Sequence, residues 1–157
     1  MKPVGGREYL YVVMDDCTRT VYAKLLWPRS EAIEAFKTFK AAVKNESVMK
    51  IMTGNTRELC MGEMGDLCDR EGFKLHTTVP YHPALNGVVR RAIGMLTGAV
   101  RAILRASGLP GSLWADAFNT AAHVHNRTPT RVLEGLAPFE VCYGPSLSPS
   151  PSLLLSL

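Results

Sequence analysis

The sequence predicts a three-layer α/β fold, a mixed sheet flanked by helices. Two observations carry this. Short runs rich in β-branched and aromatic residues, at 8–14, 21–27, 48–52 and 74–79, read as strands. Longer stretches with apolar residues at helical spacing lie between and after them. The order is strand, strand, helix, strand, helix, strand, helix, helix.

The first strand, EYLYVVM, stops at Asp15-Asp16, and Thr18-Arg19-Thr20 turns the chain into a hairpin partner, VYAKLLW, which Pro28 ends. Ser30 is placed to cap a helix, with Glu31 and Glu34 in its first turn, where the helix dipole favours acids. Ile33, Phe36, Phe39 and Val43 form its apolar stripe, and Lys37, Lys40 and Lys44 read as a solvated face. After the third strand, Thr53-Gly54-Asn55-Thr56 is a polar turn. A second helix spans 58–70 and ends at Gly72. Pro80-Tyr81-His82-Pro83 cannot lie inside a helix, because proline lacks the N–H and restricts the residue before it. A long helix at 88–107 is closed by Gly108 and Pro110. At about 100° per residue, Ile93, Leu96, Val100, Ile103 and Leu104 share one side. Arg90, Arg101 and Arg105 fall within about 60° of each other on another, with Arg91 nearby. A last helix at 112–126 turns Trp114, Ala117, Phe118 and Ala121 inward.

The 157 residues fit one domain, and 46% apolar content is enough to bury a core. Net charge is +4, compatible with a polyanionic partner without requiring one. Cys17, Cys60, Cys68 and Cys142 have neither zinc-site nor disulfide-framework spacing and read as free thiols in a reducing compartment. His123 and His125, two positions apart, fall on different helix faces and do not suit a shared metal. Met1–Gly6 carries no signal region and no run approaches a membrane span, so an intracellular protein is expected, with the nucleus open to it. From Gly144 the composition turns to PSLSPSPSLLLSL. Residues 1–144 are read as one domain and 145–157 as a low-complexity tail, expected to be disordered.

Several segments, in order and at matching spacing, resemble the integrase catalytic core of copia-type LTR retrotransposons. They are Gly5-Gly6-Arg7-Glu8-Tyr9 leading to Val13-Met14-Asp15-Asp16-Cys17-Thr18-Arg19, Ser30-Glu31-Ala32 with Phe36-Lys37, and Thr53-Gly54-Asn55. Then come Pro80-Tyr81-His82-Pro83 with Asn86-Gly87, Gly108-Leu109-Pro110 with Leu113-Trp114, Asn126-Arg127-Thr128-Pro129, and Pro138-Phe139-Glu140 with Tyr143-Gly144. The match covers about residues 5 to 145. It implies a ribonuclease-H-like fold and descent from an enzyme of the element's Pol polyprotein that joins element DNA to a target.

The resemblance also implies three carboxylates holding two Mg or Mn ions for phosphoryl transfer. Here the second position falls on Gly54 and the third on Arg90, with 35 residues between them as in the family. The first aspartate would precede Gly5, and Met1–Val4 hold no acid. The central strand that carries it, between the strands of Val12 and Ile51, is expected to be missing, leaving unpaired edges and a marginally stable chain. A pseudoenzyme without catalytic residues or cofactor is therefore expected. Tyr81, His82, Asn86, Arg90, Arg91, Arg101 and Arg105 are the candidate nucleic-acid contacts, since phosphate binding needs only positive charge. The partners this allows are DNA, another copy, or an intact integrase, with no membrane and no small-molecule substrate. The alternatives are a decayed fragment without molecular function, an interaction module pairing through its exposed sheet edge, and a nuclease using Asp15, Asp16 and Glu58.

Overall fold

The computed structural model describes residues 9–42, 50–53, 63–77 and 87–144. Its elements are β1 (Tyr9–Met14), β2 (Val21–Leu26), α1 (Ala32–Ala42), β3 (Lys50–Thr53), α2 (Glu63–Glu71), β4 (Lys74–Thr77), α3 (Gly87–Ser107), α4 (Trp114–Arg127) and α5 (Pro138–Tyr143). Short 3-10 turns cover Arg29–Glu31, Gly111–Leu113 and Arg131–Leu133.

The β1–β2 hairpin is antiparallel, from Tyr9 opposite Leu26 to Met14 opposite Val21. Its turn is built by Asp15, whose Oδ2 accepts from the Thr18 N–H at 2.9 Å and from the Thr18 hydroxyl at 2.6 Å. Arg19 takes the left-handed conformation there, at φ 59. β3 and β4 run parallel, Lys50 opposite Lys74 through Thr53 opposite Thr77. Among the described residues these are two separate two-stranded sheets, and β1 is not bonded to β3.

Alternation along β1 sends its side chains to two helical layers. Leu10, Val12 and Met14 pack with Leu96 and Val100 of α3 and Phe118 and Ala121 of α4. Tyr11 and Val13 pack with Phe36 and Phe39 of α1 and Met64 and Leu67 of α2. Ile51 of β3 and Leu75 of β4 join this second cluster. The expected three-layer order, helices on both faces of strands, is what forms.

The apolar stripes on α1, α3 and α4 fall inside as read, with Val43 outside the described residues. Four local readings change. Ser30 does not cap α1. It sits within the 3-10 turn, and Glu31 reaches back to accept from the Trp27 N–H at 3.1 Å, satisfying the entry from inside. Lys40 is not merely solvated. Its Nζ pairs with the Glu71 carboxylate and lies 4.9 Å from the Phe73 ring centre, tying α1 to the end of α2. Ser112 belongs to a 3-10 turn, and α4 starts two residues later. α5 was not anticipated. Pro138 opens it and the Glu140 carboxylate accepts from the Ala137 N–H at 2.9 Å, a proline-led helix start with half of a capping box.

Candidate nucleic-acid interface

α3 is amphipathic over its whole length. Ala92, Leu96 and Val100 are buried beneath α4 and the β1–β2 sheet, which fixes the opposite face toward solvent. On that face Arg90, Arg91, Arg101 and Arg105 are all exposed. None of the four pairs with a carboxylate among the described residues. The span from Arg90 to Arg105 is about 22 Å at 1.5 Å per residue. The structure therefore brings together the four arginines read from the sequence. Gly54, Tyr81, His82 and Asn86, the other site positions, lie outside the described residues, and so does Glu58.

Gly94 and Gly98 were not anticipated as part of this face. They fall at about 40° and 80° from Arg90, between the arginine pairs. Both are exposed, and a Cβ built on either would meet nothing within 4 Å. Interior helical glycine costs about 1 kcal/mol relative to alanine, and no intramolecular packing offsets it here. The result is a smooth, bare backbone strip flanked by guanidinium groups. A sequence signal existed: two glycines four apart inside a basic amphipathic helix.

The two described acids of the alternative nuclease reading are engaged locally. Asp15 is consumed by the Thr18 turn, and Asp16 pairs with Arg19 at 2.8 Å. Both are the local turn and salt bridge that a strand end produces. Among the described residues no three His, Cys, Asp or Glu side chains come together to hold a metal ion. Arg90 places a permanent cation on the α3 face, where it would repel a dication. Among the described residues the donor set does not fit the two-metal centre that the resemblance implies.

No family model matches the chain. In solved structures its fold is similar to the simian T-cell lymphotropic virus intasome in complex with PP2A regulatory subunit B56 gamma. The TM-score is 0.71 at 23% identity, over 89% of this chain and 50% of that one. It is also similar to the HTLV-2 integrase catalytic core domain in complex with magnesium, trimeric form. There the TM-score is 0.66 at 20% identity, over 85% of this chain and 84% of that one. The fold is thus that of an integrase catalytic core, ribonuclease-H-like.

The sequence relatives narrow this to retrotransposons. The chain is 29% identical over 133 residues to the retrovirus-related Pol polyprotein from transposon TNT 1-94 of Nicotiana tabacum, covering 83% of this chain and 10% of that protein. It is 27% identical over 144 residues to the Pol polyprotein from transposon RE2 of Arabidopsis thaliana, covering 90% of this chain and 10% of that protein. The chain is retrotransposon integrase-like, consistent with a copia-type core, and spans about a tenth of the length of these polyproteins. Among the described residues no helix is long and apolar enough to cross a membrane.

Proposed function

We propose that this integrase-like chain binds nucleic acid through the arginine face of α3 and does not carry out strand transfer. One observation carries the reading: four exposed arginines, with no acidic partner among the described residues, flank a bare glycine strip, and the resemblance implies a carboxylate where Arg90 stands. Phosphate binding needs positive charge, which this face supplies, and the glycine strip leaves room for close approach. The loss of catalysis is supported by the same residue, and by Gly54, which has no side chain to offer a metal.

The test is duplex-DNA binding by fluorescence anisotropy across a salt series. Four phosphate contacts give a slope of log K against log salt of about −3.6, or about a hundredfold weaker binding between roughly 50 and 200 mM salt. Arg101→Gln with Arg105→Gln should flatten the slope by about 2. A binding constant that hardly changes with salt refutes the phosphate interface. Metal-dependent joining of DNA ends by the unmodified chain refutes the loss of catalysis.

A further inference from the structure

β2 has one edge paired to β1 and one turned away. In antiparallel pairs, alternate residues point both backbone groups to the same side. The Asp15 N–H donates to the Thr20 carbonyl at 3.0 Å, so Thr20 faces β1 and Val21 faces outward. Val21 is satisfied there by a side chain. Its N–H donates to Asn126 Oδ1 at 2.8 Å, and its carbonyl accepts from Asn126 Nδ2 at 2.7 Å. A primary amide thus stands where the peptide unit of a neighbouring strand would. Two residues on, Ala23 turns its N–H and C=O the same way, and no described residue takes them.

Ala23 lines a cleft of about 220 Å³ between β2, α4 and α5. Asn119, His123, Arg127, Phe139 and Tyr143 form its rim and walls, and among the described residues no carboxylate lines it. Arg127 is the informative group. Its guanidinium lies 4.4 Å from the Phe139 ring centre, and Nη1 is 3.1 Å from His123 Nδ1. Its Nε is buried without a hydrogen-bond partner, and no carboxylate among the described residues pairs with it. A buried donor on a cation is costly to leave unmade. Arg127 lines the cleft, so its charge is placed to attract a carboxylate that enters there.

We propose that this cleft is a docking site for an extended, carboxylate-bearing peptide segment. The segment adds to the β2 edge at Ala23, continuing the pairing that the Asn126 amide begins, and its carboxylate closes on Arg127. Edge pairing supplies affinity from the backbone, and Arg127 selects the acidic side chain. The site is separate from the α3 face, so either can fail without the other.

The experiment is an NMR titration of the full 157-residue chain with acetyl-Val-Glu-Val-amide. The readouts are the Ala23 backbone N–H and the Arg127 Nε–H. Both should move together and saturate at one affinity. The matched acetyl-Val-Gln-Val-amide should bind about tenfold more weakly. Arg127→Gln should abolish that preference, and Arg127→Lys should retain part of it. Should Arg127→Gln fail to fold, the two wild-type signals and the lysine variant decide. Equal binding of the two peptides, or movement of Arg127 without Ala23, overturns the proposal. So does a response of both signals to inorganic phosphate or duplex DNA that matches the Glu peptide, which would reassign the cleft to phosphate.

Discussion

Asn126→Ala should cost about 2–3 kcal/mol. The side chain makes two hydrogen bonds to Val21, at 2.8 and 2.7 Å, and each contributes about 1 kcal/mol net. Their loss also leaves the backbone groups of Val21, a residue only 3% exposed, without partners. For a chain of this size each kcal/mol lowers Tm by about 2–4 °C, so a fall of roughly 5–10 °C is expected. Urea unfolding should show a lower midpoint with an unchanged slope, the mark of a stability change. Asn119→Ala on the same helix is the control. Asn119 is exposed and makes no such bonds, so it should stay within about 0.5 kcal/mol of wild type. A cost below about 0.5 kcal/mol for Asn126→Ala would mean that water replaces the amide freely, and that the β2 edge is not held by this side chain.

Gly98→Ala should stabilise α3 by about 0.5–1 kcal/mol, because the added methyl meets nothing, yet should weaken DNA binding if phosphates approach that strip. Thermal melts and anisotropy on one sample check both halves, and tighter DNA binding would contradict the close approach. Burial holds His123 and His125 below the usual imidazole range, and for His123 the neighbouring Arg127 adds to this. The folded state therefore binds fewer protons than the unfolded one as pH falls through 6.5, so stability should drop on acidification across that window and level off below the lowered values. Urea midpoints measured from pH 7.5 to 5 read this, and a midpoint that rises on acidification contradicts the sign. Gly54→Asp combined with Arg90→Glu, made in this 157-residue chain, restores two of the three carboxylates that the resemblance implies and should give no metal-dependent strand transfer, since Met1–Val4 carry no acid for the first. A strand-transfer gel checks this, and joined product would refute it.

Much of the layer order was legible because it rests on periodicity. The unbroken apolar run Tyr9–Met14 predicts a strand covered on both faces, and the spacing of Leu96 and Val100 predicts which side of α3 is buried. What was not legible depends on tertiary partners. Asn126, Arg127, Phe139 and Tyr143 stand in two segments that carry the family resemblance, but nothing local says that they meet around one cleft. The Phe139 and Tyr143 rings lie 4.7 Å apart and Arg127 stacks on the first, a contact made only when α5 docks on α4. Lys40 misled for the same reason. Its periodicity fits solvent, and its partner Glu71 lies 31 residues away. The start of α5 was the exception that could have been read, since Pro138 and Glu140 are a local helix-start signal.

The separation of β1–β2 from β3–β4 has a consequence for how the molecule opens. No backbone hydrogen bond joins the two ribbons among the described residues, so their cohesion is carried by side chains such as Tyr11, Val13, Ile51 and Leu75 beneath α1 and α2. Packing of this kind is non-directional, whereas a ladder bond breaks all or none. The two ribbons should therefore behave as distinct opening units in native-state hydrogen exchange. The β1–β2 amides, clamped by α3 and α4 on one face and α1 on the other, should exchange with the global unfolding reaction. Those of β3–β4, clamped by α1 and α2 on one face, should exchange at a lower free energy.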